Sequence, residues 1–231
     1  MTERFAIYYA PSATSNLWER AATWFGRDAS TGELLGGTVA GLDRNRLLNL
    51  TQGASRYGFH ATIKAPMALA GGRSQAQFCA ALADFVARQQ PVSLGRLRLA
   101  TIAGFLALLA DEAHPALPGF AADVVEAFED FRAPMSPKER EKRLQGGLTP
   151  RQAELLDSHG YPYVLDQFQF HMTLSDRLEP EDQAEMLAAA RTWFGPALDE
   201  EVTLDRLSLF HEPDSGKLFR RLADFPLGGA L

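Results

Sequence analysis

Two short stretches of the chain carry one pattern of chemically capable residues. Tyr57-Gly-Phe-His60-Ala-Thr62-Ile-Lys64 and Phe168-Gln-Phe-His171-Met-Thr173-Leu-Ser175 share Phe-His-x-Thr followed by Ile or Leu. Imidazole gives or takes a proton near neutral pH. Two imidazoles on opposite sides of a phosphodiester would supply a base for the attacking oxygen and an acid for the leaving oxygen, with no metal ion. The charge that develops on the equatorial oxygens calls for donors fixed in advance. A threonine hydroxyl one pleat repeat from each histidine, about 6–7 Å along a strand and on the same face, is placed to be such a donor. The other three of the five histidines, His114, His159 and His211, lack the partner threonine, and we expect them to be non-catalytic. For either stretch alone, a satisfied histidine on a half-buried strand is the simpler reading. The repetition, with Phe before and an aliphatic residue after, is what argues for chemistry.

The pattern needs strands to carry it. Alternation puts Phe59, Ala61 and Ile63 on one face of the first stretch and His60, Thr62 and Lys64 on the other. In the second, Phe170, Met172 and Leu174 oppose His171, Thr173 and Ser175. Elsewhere, residues 5–10 read as a buried strand ending at Pro11, and Ser15 caps a helix with Leu17, Ala21, Trp24 and Phe25 on one side. Residues 31–53, rich in Gly, Asp, Asn and Thr, read as loop. Residues 59–65 read as a strand stopped by Pro66, Ser74 caps the next helix, and residues 92–99 and 104–110 form a strand pair. After a turn at 112–118, helices are expected over 120–131, from Ser136-Pro137, and from Thr149-Pro150 to Gly160. Residues 164–175 read as strand, 181–194 as an amphipathic helix, and 202–211 and 218–222 as two last strands. The mixture predicts an α+β fold with antiparallel sheets covered by helices.

Around the motifs stand residues with two open readings each. Lys64 either adds positive charge at a phosphate or is an exposed strand lysine. Tyr57 lines a cleft or is a half-buried aromatic. Arg132, Lys138, Arg140, Lys142 and Arg143 make a basic stretch, and Arg140 and Arg143 share a helix face. Arginine suits bidentate phosphate contacts, so this stretch either recognises a second phosphate or is a solvated helix surface. Tyr161 and Tyr163 flank Pro162 ahead of the second motif, and either close over a ligand or hold the turn. One of Arg220 and Arg221 could point into a cleft.

Composition narrows the partners. The 231 residues carry a net charge of −6, which disfavours duplex nucleic acid as a partner but leaves room for a small anion in a local basic pocket. With one cysteine, Cys79, there is no intramolecular disulfide, and the histidines show no metal-ligand spacing, so neither metal nor cofactor is expected. The start of the chain lacks a signal-peptide pattern, and the longest apolar run is far too short to span a bilayer, so the expected location is the cytoplasm, with no membrane partner. No P-loop, dinucleotide fingerprint or Gly-x-Ser-x-Gly elbow is present. Oligomeric state is not legible.

The paired His-x-Thr strands resemble the signature of the 2H (two-histidine) phosphoesterase superfamily, which includes RNA ligase-like cyclic phosphodiesterases. Phe5-Ala-Ile-Tyr-Tyr-Ala-Pro, Gly104-Phe-Leu-Ala-Leu, Phe131-Arg-Ala-Pro, Gly160-Tyr-Pro-Tyr-Val and the late Leu218-Phe-Arg-Arg extend the likeness over nearly the whole chain. Together they resemble a branch encoded among bacterial phosphonate-utilisation genes. The resemblance implies one domain over 1–231, built of two lobes related by a pseudo-two-fold. Each lobe would be an antiparallel sheet flanked by helices, with the motif strands facing each other across a central cleft. It implies His60, Thr62, His171 and Thr173 as catalytic residues, with either histidine as base. The implied activity is phosphoric diester hydrolysis of a small cyclic or linear phosphodiester, such as a phosphorylated ribose intermediate. Two alternatives stand beside it: an RNA 2′,3′-cyclic phosphodiesterase, and a protein that binds a phosphorylated metabolite without turnover.

Overall fold

A computed structural model describes residues 3–112 and 114–229. The chain starts and ends, and Ala113 within the expected turn at 112–118, lie outside the described residues. Eight strands form one antiparallel sheet: β1 (Arg4–Tyr9), β2 (Ala61–Met67), β3 (Val92–Ile102), β4 (Phe105–Ala110), β5 (Met172–Arg177), β6 (Glu201–Leu204), β7 (Arg206–Glu212) and β8 (Arg220–Pro226). Their order is β6-β3-β4-β5-β2-β1-β7-β8. The α-helices are α1 (Asn16–Phe25), α2 (Arg44–Leu50), α3 (Gln52–Tyr57), α4 (Gln75–Val86), α5 (Leu117–Ala127), α6 (Pro137–Leu144), α7 (Pro150–His159) and α8 (Pro180–Leu198). The α+β expectation is met as a mixed fold with a single eight-stranded sheet. No helix is long and apolar enough to cross a membrane among the described residues.

Two features of the sheet set up the site. The motif strands β2 and β5 are neighbours, yet they register through one pair, Ala61 with Met172. The sheet is therefore barely stitched at its middle, and space opens there. Residues 202–211 also do not form the single strand expected. Asp205 divides them into β6, on one edge, and β7, next to the strand on the other edge. One intervening residue cannot span a flat sheet of eight strands at about 4.8 Å each, so the sheet curls until its edges approach.

Packing explains why the strands hold. Met172 and Leu174 are fully buried on the core face of β5, as are Ala61 and Ile63 on β2. Burying each large aliphatic or aromatic side chain contributes about 1.5–3 kcal/mol. Trp24 of α1 is completely buried and its indole N–H donates to the Leu174 carbonyl at 2.8 Å, which ties α1 to the second motif strand without an orphaned donor. Helix caps follow the expected chemistry: Ser15, Ser74, Ser136 and Thr149 each accept a backbone N–H, and Gly160 closes α7 in the left-handed region.

Three other local expectations are corrected. Residues 31–53 are not loop throughout, because Asp43 caps α2 and α3 follows at once. Pro66 does not stop β2, which runs to Met67 through an irregular register against β1, the kind of place where a strand tolerates a missing N–H. Residues 164–171 are not strand: a 3-10 turn at Leu165–Gln167 and an extended segment deliver His171 to the start of β5.

Candidate active site

A cavity of about 690 Å3 opens where β2 and β5 meet, and it is lined by His60, Thr62, His171 and Thr173 together. That volume fits a ligand of nucleotide or sugar-phosphate size. The two histidines enter it in the same local geometry. Each ring turns Nδ1 back to the carbonyl two residues earlier: His60 to Gly58 at 2.9 Å, and His171 to Gln169 at 2.8 Å. A carbonyl only accepts, so in each ring Nδ1 carries a proton and Nε2, on the opposite edge, is the nitrogen free to take or give one. Gly58 makes the first contact possible. Its φ of 83° lies in the left-handed region, and a Cβ there would come 2.7 Å from the Ala29 Cβ. Neither threonine hydroxyl has a protein hydrogen-bond partner among the described residues, so both are available to a ligand.

The environments of the two rings differ. His60 stacks on the buried Tyr8 ring with centroids 3.7 Å apart, and Tyr57 and Phe210 flank it at 6.2 and 6.1 Å. Burial pushes its pKa down to about 4, against the hydrogen bond to Gly58, and positive charge on nearby His171 pushes the same way. His60 is thus an unprotonated imidazole at neutral pH. The one hydrogen bond of the His171 ring among the described residues goes to the Gln169 carbonyl, and no aromatic ring stacks on it there.

Of the expected substrate contacts, Tyr57, Arg143, Tyr161 and Tyr163 line the cavity with the motif residues. Lys64 does not, which corrects the expectation that it shares a face with Thr62. Thr62 pairs with Tyr8 and Lys64 with Ile7, so Ile63 is an extra residue, a bulge that reverses the alternation. The Lys64 side chain is buried instead, donating to the Val125 carbonyl at 2.8 Å and the Glu129 carboxylate at 2.9 Å. Arg132 also stands outside the cavity lining. It donates from Nε to Glu129 at 2.6 Å and from Nη2 to the Ser158 carbonyl at 3.0 Å, so it braces the start of the basic stretch. Arg140 is bound in a two-pronged pair to Asp157 at 2.6 and 2.7 Å, on the exposed side of α6. Arg221 is turned inward to Asp224 and the Pro11 carbonyl, and Arg220 to the Thr31 carbonyl, so neither lines the cleft. His114, His159 and His211 lie away from the cavity, the last two against Glu126 and Glu3.

Several lining residues carried no expectation. Tyr8 and Arg4 reach the cavity from β1, where their shared face was readable from alternation but not its destination. Ser175 lines it as the third polar residue of the second motif, its hydroxyl accepting from the Leu106 N–H at 2.9 Å. Asp176 is the one carboxylate of the lining, and both its oxygens are occupied, accepting the Gly53 and Ala54 N–H groups at 2.9 Å. Among the described residues no group of three or more His, Cys, Asp and Glu is arranged to hold a metal ion.

Comparison with known proteins adds four findings. The chain is 32% identical over 231 residues to "Ribose 1,5-bisphosphate phosphokinase PhnN" of Janthinobacterium sp. (strain Marseille), covering 98% of this chain and 51% of that protein. It is 35% identical over 221 residues to the protein of the same name from Laribacter hongkongensis (strain HLHK9), covering 94% and 50%. The chain thus spans about half the length of these curated relatives. A solved structure described as a phosphoesterase superposes over 98% of this chain and 99% of its own, at a TM-score of 0.40 and 12% identity. Residues 62–220, which hold Thr62 and the whole second motif, match the model of the family described as "Protein of unknown function (DUF1045)", and the chain belongs to that family.

Proposed function

We propose that this chain is a metal-independent phosphoric diester hydrolase of the two-histidine type. The observation that carries the reading is the pair of imidazoles in one cavity, each with Nδ1 tied to its own backbone and each followed by an unengaged threonine hydroxyl. His60, unprotonated at neutral pH, is the base. Its Nε2 takes a proton from water, the water oxygen bonds to phosphorus, and the bond to the leaving oxygen breaks. That oxygen takes the Nε2 proton of His171, which enters the step as the doubly protonated imidazolium and leaves it neutral, giving a phosphomonoester and a hydroxyl. Thr62 and Thr173 donate to the equatorial oxygens as their charge grows. The sheet reads as two halves, β6-β3-β4-β5 and β2-β1-β7-β8, about the single Ala61–Met172 pair. This order supports a bilobal unit with the reacting phosphate between its halves.

The relatives' name supports a phosphorylated ribose as substrate. It describes a phosphokinase for ribose 1,5-bisphosphate, and this chain corresponds to about half of each such protein. A phosphokinase needs a nucleotide-phosphate cradle, and this chain has no Gly-x-x-x-x-Gly-Lys loop. We assign the kinase step to the other half of those proteins, and to this chain the opening of a cyclic ribose phosphate diester. The test is an assay of the purified protein in EDTA against ribose 1,2-cyclic phosphates and nucleoside 2′,3′-cyclic phosphates. Turnover to monoester undiminished by EDTA is expected; a folded protein that turns over none of them refutes the reading.

A further inference from the structure

One end of the cavity is built for more charge than a diester carries. Arg4 and Tyr8 are both cavity-lining residues of β1. The register of β1 against β7 is unbroken from Arg4–Glu212 to Tyr8–Ser208. The two side chains therefore share a face, with Cα atoms about 13 Å apart along the strand. Tyr8 lies under the His60 ring, so Arg4 stands off from the reacting centre along the same wall.

Its guanidinium is held from behind. Arg4 Nε donates to Glu212 Oε2 at 2.6 Å, and Cζ sits 5.6 Å from the centroid of the Phe219 ring. Glu212 is 0% exposed and is fixed in turn by Arg56 and by the Gly216 N–H at 3.0 Å. Burial pushes the Glu212 carboxyl pKa up, but the hydrogen bonds from Arg4 and Arg56 outweigh burial and hold it below its ordinary value. All this engages Nε only. Nη1 and Nη2 of Arg4 have no protein partner among the described residues, while the side chain keeps 20% exposure. A rigid fork with two idle donor nitrogens thus belongs to a cavity-lining residue.

The second cation comes from a helix. Arg143 of α6 lines the same cavity, with a single 3.1 Å contact to Glu139. Tyr57 is the common neighbour, acting electrostatically on both Arg4 and Tyr161, while Arg143 acts on Tyr161. The one carboxylate of the lining, Asp176, is turned to backbone N–H groups. Arg4 and Arg56 share Glu212, and Arg143 pairs with Glu139, so three guanidinium groups stand against two carboxylates at this end of the cavity.

We propose that Arg4 and Arg143 form a second anion subsite, so that the substrate is a phosphodiester that also carries a separate phosphomonoester. The inference rests on the diester-hydrolase reading for its first phosphate. Two guanidinium groups match the near-dianionic charge of a monoester, where a carboxylate or a second diester would need only one. Glu212 is a positioning residue for Arg4.

The test uses the full chain and two substrate pairs: ribose 1,2-cyclic phosphate and adenosine 2′,3′-cyclic phosphate, each with and without a phosphate on the 5-hydroxyl or 5′-hydroxyl. Wild-type kcat/KM is expected to favour the phosphorylated member of a pair by on the order of 100-fold. Arg4→Lys keeps a charge beside Glu212 but loses the fork, and Arg143→Gln touches no buried partner. Each is expected to cut that ratio by about tenfold or more, whereas His171→Ala lowers both members of a pair alike and leaves the ratio in place. A wild-type ratio within about threefold of one, or a ratio unchanged in both arginine variants, overturns the subsite. If no diester is turned over at all, the hydrolase reading fails on its own, and ribose 5-phosphate titrated by calorimetry decides the subsite. Binding that weakens about tenfold or more in Arg4→Lys and Arg143→Gln supports it; equal binding to the three proteins, or none to the wild type, overturns it.

Discussion

At the first motif, the histidine stacks on Tyr8 among three aromatic rings, and the strand bulges at Ile63 so that Lys64 turns into the core. At the second, the histidine is unstacked, and β5 shifts register against β4 only after Thr173, so that His171, Thr173 and Ser175 all reach the cavity. The first four residues of the shared pattern are the same in chemistry, and their backbone-to-Nδ1 bonds are the same in geometry. The difference lies in what surrounds them. Two copies of one motif are made unlike by the aromatic bed under His60, which depresses the proton affinity of that ring as a base needs.

The sharpest way to break this comparison is to remove each imidazole. General acid or base catalysis is worth about 10²–10⁴-fold, so His60→Ala and His171→Ala are each expected to lower kcat by about 10³-fold. The double variant should be scarcely slower than either single one, because the two groups act in one step. Single-turnover rates in the three variants check this. Retention of more than a tenth of the wild-type rate in either single variant would remove that histidine from the chemistry.

How much of this was readable from the chain depends on which physical rule governs each residue. The second motif was legible because strand alternation is local: Met172 and Leu174 are buried, and His171, Thr173 and Ser175, which alternate with them, line the cavity. The fate of Lys64 was not, because nothing in Ile63 itself signals a bulge; it comes from how β1 pairs with β2. Arg4 could not be singled out, since the carboxylate that fixes it is 208 positions away. Arg140 and Arg143 look alike on one helix, yet Asp157 of the next helix claims only Arg140. The missed helix α2 did carry a signal, Asp43 before an Arg-Leu-rich run, but it was outweighed by the Gly and Asn content of 31–53. The split at Asp205 reflects the curl of the sheet, a property of all eight strands.

A smaller effect separates the two motifs by their third polar residue. Lys64→Met removes the donor to the Val125 carbonyl and one of two cations on Glu129. Breaking a buried pair costs about 3–5 kcal/mol when a charge is left alone. Glu129 keeps Arg132 and some solvent, so a loss of about 2 kcal/mol is expected. Urea denaturation reads it. Because Lys64 lies outside the cavity, kcat/KM should stay within about threefold of wild type, as for a change remote from the reacting groups. A tenfold fall in kcat/KM with unchanged stability would instead place the ammonium group at the substrate.

The smallest expected effect sharpens the comparison most, because it reads the burial of His60 directly. With its pKa near 4, His60 is neutral down to acid pH, and the acid limb of the kcat/KM profile is expected near pH 4. The same displacement links to stability. In the unfolded chain a histidine titrates near 6.5, so the His60 contribution is fully present above that pH and is lost as pH falls towards 4. Tyr8→Leu trades the stacked ring for a smaller side chain and lets water reach the imidazole. Its acid limb should then move up by about one pH unit, worth about 1.4 kcal/mol. A pH titration of the histidine C–H resonances in both proteins follows the same change without turnover. A His60 resonance that titrates near pH 6.5 in the wild type would mean that the aromatic bed does not set its charge, and the asymmetry between the two motifs would then lie elsewhere.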